Sequence, residues 1–570
     1  MSNREGKTAD VSQSVELELK FTATAEDSVP DFTALSQVAS TEVEVRELSA
    51  RYFDTADLRL TRAKHTLRRR TGGSDEGWHL KAPAVDAKGK VAGRLEYGAA
   101  LSDSVPEELL APVRSLVRDA QLLEIAQVDN RREVTLLLDD RGEVLVEFCD
   151  DHVTARSLIR DGDDYADDSP RQWREWEAEL VAGDEALLED IGTLLVQQGA
   201  KESDTPSKLA AALGDTMSVA PVPPQPAKLP EGTPGHTVIA ALADNVAKLI
   251  AIDPAVRRDE WDSIHQMRVA TREIRSHLQT FHGISVGEHL PQLEKDLKAL
   301  ASTLGAARDA EVVAERAKHT VAQLAADKSA TSAALPVDLS ELADDLDATL
   351  RKDYQRFHRR CVQALNSDRY FRLLDQLEAL LAAPPLAENI AGGTPAAKPA
   401  GSKKKKKKKA RKTKVSGANS GSAVVLAEHL DQAMGRFNKR IEAVSANTES
   451  TVPDELYHDV RKAAKKVRYS AEAAGKAGLP TKQLYEAMKQ LQSSLGDFQD
   501  TCTASHVYAT KARRARISQS LSFGYGMAYQ LERDAGTRYL EQYAADVQAA
   551  VSAYKKFQRK LRKSSPKKRH

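Results

Sequence analysis

Val15–Lys20 reads VELELK: three apolar residues alternate with Glu16, Glu18 and Lys20. A period of two puts both carboxylates and the ammonium on one face of a strand and Val15, Leu17 and Leu19 on the other. A single strand of this kind is usually a solvated surface. Here the pattern recurs: Arg68 and Arg70 in HTLRRRT, Lys81 in WHLKAP, Arg94 and Glu96 in GRLEYG, and Glu175, Glu177 and Glu179 in REWEAELV. Arg131 and Arg132 follow in NRRE, with either one in phase. A half-buried sheet ordinarily turns its apolar face to the core. With Leu17, Leu19, Trp176, Ala178 and Leu180 on the opposite faces, these strands predict a charged lumen and apolar outer faces packed on helices.

About eight short period-two segments between Val15 and Leu213 predict an antiparallel sheet closing into a barrel or tunnel. DFTALSQVAS, PEELLAPVRSLVRDAQL and DEALLEDIGTLLVQQG are expected as helical insertions. The Pro-rich stretch at 215–235 marks a linker, after which Ala, Leu, Glu, Lys and Arg dominate and long helices are expected. A second low-complexity stretch at 386–423, carrying Lys403–Lys409, is expected to be disordered, as are the tail at 1–12 and the basic tail at 562–570. The expected class is α+β: a barrel domain at 13–214, then helical halves at 236–385 and 424–561.

The chain of 570 residues has zero formal net charge, unevenly placed. The residues up to Asp215 include 44 acidic and 26 basic side chains, a net of about −18; the remainder has 39 and 57, about +18. A basic half predicts an anionic partner. Three scattered cysteines fit neither a disulfide framework nor a metal knuckle. The opening residues lack an apolar signal core, and no apolar run approaches the roughly 18 residues of a membrane span. A reducing, cytoplasmic location without membrane contact is expected.

The helical region repeats itself. His265, Arg268, Arg272 and Arg275 stand at offsets 0, +3, +7 and +10; His458, Arg461, Lys465 and Arg468 repeat them. These offsets fall within roughly 80° of arc, one helix face. LGAARD (Leu304–Asp309) and LGDFQD (Leu495–Asp500) follow at similar distances, so the region reads as an internal duplication. Like charges in such number do not belong in a core. Lys295, Arg308 and Lys462 extend the basic surface. Aromatic residues are almost absent from it, and no nucleic-acid motif appears, so stacked bases are a poor fit and no specific nucleic acid is expected.

Bases and acids on one lumen suit a phosphate chain with a divalent ion: arginine grips phosphate oxygens bidentately, and carboxylates hold Mg²⁺ or Mn²⁺. VELELK resembles the ExExK signature that opens the CYTH domain. The resemblance continues through YFDT, LRRR, HLKAP, EFCDD, EWEAELVAGD and PSKL, which ends at Lys208. It implies an eight-stranded triphosphate tunnel. Lys20, Arg68, Arg70, Lys81, Arg94, one of Arg131 and Arg132, and Lys208 would contact phosphate. Glu16, Glu18, Glu175, Glu177, Glu179 and Asp150 would hold metal, with Glu147 and Asp151 one register slip from the last. Glu16, Glu18, Lys20 and Glu177 would carry the chemistry.

IHQMRVATREIRS and YHDVRKAAKKVRYSAE resemble the two halves of the CHAD domain, which implies two pseudo-symmetric four-helix bundles that bind inorganic polyphosphate. Glu273 stands where that pattern repeats an arginine. Together the resemblances imply a metal-dependent inorganic triphosphatase or polyphosphatase with a polyphosphate-binding module, and association with polyphosphate granules. Two other readings stay open: a nucleotide or thiamine triphosphate enzyme, adenylate cyclase included, and a non-catalytic polyphosphate-binding protein. Oligomeric state is not legible.

Overall fold

The computed structural model describes residues 12–73, 75–85, 91–167, 169–231, 233–280, 289–326, 339–386, 420–447, 452–476, 478–513 and 518–563. The N-terminal tail, most of the 386–423 stretch with Lys403–Lys409, and the C-terminal tail beyond Lys563 lie outside the described residues. The chain divides into two units, Met1–Pro223 and Pro224–His570.

Among the described residues the first unit has twelve strands: β1 (Ser12–Glu16), β2 (Glu18–Ala23), β3 (Ser40–Asp54), β4 (Thr66–Thr71), β5 (Gly77–Val85), β6 (Val91–Ala99), β7 (Leu123–Leu138), β8 (Val144–Ser157), β9 (Arg160–Asp161), β10 (Asp164–Tyr165), β11 (Arg171–Leu180) and β12 (Lys201–Glu202). β9 and β10 pair only with each other; the rest make one sheet in the order β1-β6-β5-β4-β3-β7-β8-β11-β2-β12. The expected closed eight-stranded barrel is therefore corrected to a ten-stranded antiparallel sheet whose ladder stays open. The physical reason is a break at Leu17. Residues 12–16 pair with β6, and residues 18–23 pair with β11 near the sheet's other end. One segment thus serves both ends of the ladder without its halves bonding each other.

The outer faces are apolar, as the alternation requires. Phe21, Phe148, Trp176 and Ala178 form a core with Leu187, Ile191 and Leu195 of α1 (Glu185–Gln197), whose first turn is capped by Asp184. A second core joins Leu67, Trp78 and Leu80 to Leu109, Leu110 and Val113. Of the three expected insertions, only α1 is a full helix. DFTALSQVAS makes a single 3-10 turn capped by Asp31, with Phe32 packed on Phe148. PEELLAPVRSLVRDAQL is broken into two four-residue helical turns separated by a 3-10 turn. The Pro-rich stretch is anchored rather than free. Thr216 is buried against Ser157, Ala220 joins a core of the first unit, and Leu229 packs on the helical core of the second.

α2 (Lys208–Leu213) closes the first unit. The second holds α3 (Pro234–Arg257), α4 (Ser263–Thr280), α5 (Leu290–Ala326), α6 (Leu339–Leu365), α7 (Asp368–Ala382), α8 (Ser420–Ser445), α9 (Asp454–Lys476), α10 (Lys482–Ala512), α11 (Gln519–Glu541) and α12 (Tyr543–Lys563). Each half contributes five helices among the described residues, one more than expected. Ile239, Met267, Leu297, Cys361 and Leu377 lie in one core and Val238, Leu430, Val467, Leu491 and Phe557 in another, while a third core unites α5 and α6 with α10 and α11. Among the described residues, no helix is long and apolar enough to cross a membrane.

Candidate functional site

Register fixes which side chains share the inner face. Across the sheet, Glu179 pairs with Glu18 and Glu147, Glu177 with Lys20 and Cys149, and Glu175 with Thr22 and Asp151. Arg132 lies opposite both Asp151 and Arg46. The next strands add Arg68 and Arg70 on β4, Lys81 on β5 and Arg94 and Glu96 on β6. Together these faces enclose a cavity of about 290 Å³.

Glu177 of its lining is grouped with Asp151 and Glu175, all three buried, with carboxylate oxygens within 4.8 Å of one another. Three cations meet them. Lys208 Nζ stands 2.8 Å from Asp151, 2.5 Å from Glu175 and 2.8 Å from Glu177. Lys20 reaches Glu177 at 2.5 Å. Arg132 donates through Nε and Nη2 to the two oxygens of Asp151, both at 2.7 Å, and from Nη2 to Glu177 at 2.6 Å. Lys208 opens α2, where the helix dipole disfavours a positive charge, so the carboxylates are what hold it there. Burial pushes the Glu177 carboxyl up, but Lys208, Lys20 and Arg132 outweigh it and keep the group well below the usual range. Burial likewise opposes the charge on Lys208, yet Asp151, Glu177 and Glu175 raise its pKa well above normal.

Above this trio the balance changes. Among the described residues no ion pair reaches Glu18 or Glu179. Burial raises the Glu179 carboxyl; Lys81 opposes that shift, while Glu18 and Glu177 add to it. On the opposite wall, Arg70 is pushed down to about 9 by burial and by its neighbours Arg68 and Arg132. Glu96 accepts from His79 at 2.9 Å and lies 3.7 Å from Arg68 and 3.9 Å from Lys81. The donor set is all oxygen, which suits a hard divalent cation, and it faces an excess of guanidinium and ammonium groups suited to phosphate.

Two expected residues point elsewhere. Asp150 lies on the outer phase of β8 and accepts from Arg174 at 2.8 and 2.7 Å, so the inward acid is Asp151. Arg131 is exposed and pairs with Glu133, so the inward arginine is Arg132. Glu16 lies opposite Arg94 in the ladder, and its side chain is outside the described residues. Sequence reasoning missed Arg46, Asn130 and His79. Arg46 was accessible, because it keeps phase with Tyr52 along one strand.

In the second unit the two repeated faces meet. Arg268, Arg272, Arg461 and Lys465 cluster with Asp309 and Asp500 of the two LG segments, which lie inside α5 and α10 rather than at turns. A methyl group on Gly305 would lie 3.6 Å from Arg268 Nε, and one on Gly496 3.1 Å from Arg461 Nη2. The approach at Gly496 is tight, so this glycine makes room for Arg461 on the preceding helix, whereas the contact at Gly305 is an ordinary one. Burial, then Arg272, Arg468 and Arg461, push Lys465 down to about 6. Glu273 offsets part of this charge: it accepts from Tyr469 at 3.4 Å and lies 4.0 Å from Arg468. His265 and His458 sit beside Arg308 and Lys462 respectively, and burial leads in holding both below the usual histidine range. Arg308 pairs with Glu311, and Lys462 is exposed beside Asp459. Arg275 lies near Lys466, and Lys295 is exposed on α5, away from the repeated cluster.

A family model described as CYTH domain matches residues 14–211, and one described as CHAD domain matches 240–509. An uncharacterised protein of Mycobacterium tuberculosis is 34% identical over 559 residues, covering 95% of this chain and 97% of its own. PptA from Streptomyces chartreusis, a solved structure, is 19% identical, covers 57% of this chain and 99% of that one, and gives a TM-score of 0.40. The CHAD domain from the plant Ricinus communis is 22% identical, covers 59% and 96%, and gives 0.37.

Proposed function

The chain belongs with the proteins that join a CYTH domain to a CHAD domain, and from that premise we propose that its sheet cavity hydrolyses inorganic triphosphate or polyphosphate with a divalent metal while its helical unit binds polyphosphate. One observation carries the reading. A single cavity gathers Lys20, Arg68, Arg70, Lys81, Arg94, Arg132 and Lys208 around an acidic wall. Phosphate chains need the first set, and a cation bridging their oxygens needs the second.

Glu18 and Glu179 fit Mg²⁺ or Mn²⁺ because they are acidic and, among the described residues, have no ion pair, whereas Glu177 beside them is already paired with Lys20, Lys208 and Arg132. The Asp151, Glu175 and Glu177 trio fits by spacing. Such an ion would neutralise phosphate oxygens and favour attack at phosphorus. The chain's own residues supply the rest. Arg68, Arg70, Lys81, Arg94 and Arg132 orient the anion, Lys20 and Lys208 stabilise charge on the departing phosphate, and a carboxylate of the wall takes the proton of the attacking water. The inorganic substrate is favoured by the basic helical cluster, whose described neighbours include little for a base to stack on.

The test is phosphate release from tripolyphosphate, long-chain polyphosphate, ATP and thiamine triphosphate in parallel, with Mg²⁺ or Mn²⁺. Release should favour the inorganic chains, and Glu18→Ala should abolish it. Preference for ATP or thiamine triphosphate, or release unaffected by that substitution, overturns the reading.

A further inference from the structure

Resting on the reading above, we propose that His79 is a positioning residue of the phosphate-binding wall. With Glu96 it holds one proton between two side chains, which cancels the Glu96 charge and leaves Arg68, Arg70 and Lys81 to the anion.

His79 is buried on β5, opposite Arg68 of β4 in the ladder. Both of its ring nitrogens are engaged. Nδ1 lies 2.9 Å from Glu96 Oε1, and Nε2 lies 2.9 Å from the carbonyl oxygen of Asp75. A peptide carbonyl and an ionised carboxylate only accept, whereas a neutral imidazole carries a single N–H. With His79 neutral and Glu96 ionised, one of the two contacts sets lone pair against lone pair. Both are satisfied by an imidazolium facing a carboxylate, or by a neutral imidazole accepting from a carboxylic acid. Either form holds the same added proton, and in either the couple has no net charge.

Among the described residues, the charged groups facing the couple are Arg68 and Arg70 from β4, Asp75 from the turn after it, and Lys81, which pairs with Glu96 in the ladder. Arg70 also pairs with the Asp75 carboxylate, so the turn that offers its carbonyl to His79 is tied to the same wall. Glu96 lines the cavity, and without the added proton its charge would hold Arg68 and Lys81 to itself and repel an arriving phosphate. Burial leads in pushing the His79 imidazole down; Arg68 and Arg70 add to this and Glu96 opposes it. An anion that neutralises the two arginines removes their part of that opposition, so its binding strengthens the hold on the proton. By linkage, the protonated couple strengthens the hold on the anion equally.

The measurement is the affinity of the full chain for tripolyphosphate from pH 5 to 9, with metal chelated, for the unaltered protein, Glu96→Gln and His79→Gln. The helical unit is the same in all three, so differences between their profiles belong to the cavity. The amide of Glu96→Gln donates to a neutral ring with no added proton. Its profile should be flatter than that of the unaltered protein, by up to about tenfold in affinity per pH unit, and at pH 9 it should bind the more tightly of the two. His79→Gln leaves Glu96 ionised, so it should be as flat but bind about tenfold more weakly than the unaltered protein at pH 5. A merely structural part for His79 would shift affinity alike at every pH, and parallel profiles overturn the proposal. So does a Glu96→Gln chain that binds more weakly than the unaltered one at pH 9. If His79→Gln does not fold, Glu96→Gln against the unaltered protein carries the test. Phosphate release by the unaltered protein tests the function itself, and none of these binding measurements draws on it.

Discussion

Asp150 and Asp151 are chemically alike and adjacent, yet they have different surroundings. Asp151 is fully buried among Lys208, Arg132 and Asn130, whereas Asp150 is tied to Arg174, whose Nη1 also donates to the carbonyls of Thr24 and Asp27. Asp151→Asn should lower phosphate release by about a hundredfold or more and also lower the melting temperature, because it strands a buried cation at a cost of about 3–5 kcal/mol. Asp150→Asn should leave release within about threefold while costing about 1–3 kcal/mol of stability. Parallel assays and melts check both, and equal losses of activity would refute the assignment of faces. Part of this was legible. Val146 and Phe148 keep phase with Asp150, and an apolar residue two positions away marks the outer face. No such marker separates Arg131 from Arg132, since Val134 and Leu137 are both fully buried on opposite phases. Only the pairing of Arg132 with Asp151 decides it.

At the level of strands and helices, the alternation in VELELK and REWEAELV was enough to predict a charged inner face, because burial of the opposite face forces the register. The strand count was harder to read. β3 begins at Ser40, inside a stretch expected to be helical, and its first residues leave Val43 and Val45 exposed, so no buried face announced it. The duplication of α4 and α9 was plain from spacing alone, but the meeting of their faces was not. That meeting has a measurable consequence. Lys465 is crowded by Arg272, Arg468 and Arg461, with Glu273 opposing, and is pushed down to about 6 from an unfolded value near 10.5. Between those values the unfolded chain binds one more proton here, so this group's contribution to stability rises with pH across the window. A bound polyanion restores the proton, so polyphosphate affinity should fall as pH rises above about 6, by up to about tenfold per unit. Asp309 and Asp500, raised chiefly by burial, and the two histidines contribute slope of the same sign. Lys465→Arg separates their share, because the guanidinium stays charged. Titrations from pH 6 to 8 should show a flatter profile for that variant, and an identical profile would rule Lys465 out.

For the molecule as a whole, the division at Pro223 falls where no ionisable side chain stands between Thr216 and Ala227, so the acidic excess of about −18 belongs entirely to the first unit. An acidic body repels long polyanions, however well its cavity suits them, and under the proposed function the basic unit on the same chain would offset this by holding substrate nearby. The advantage depends on chain length. On the proposed function, tripolyphosphate would be consumed whole by the cavity and gain little from a second grip, whereas a long chain would engage both units. Arg268→Gln with Arg461→Gln in the full chain should therefore raise the KM for long-chain polyphosphate by about tenfold or more and leave kcat nearly unchanged. The KM for tripolyphosphate should stay within about twofold. Added salt should erode the long-chain advantage of the unaltered protein and have little effect on the variant, since what it screens is attraction between the polyanion and these half-buried cations. A rise in KM of the same size for both substrates would mean that the helical arginines act on the cavity's own binding step, and the tether would have to be abandoned.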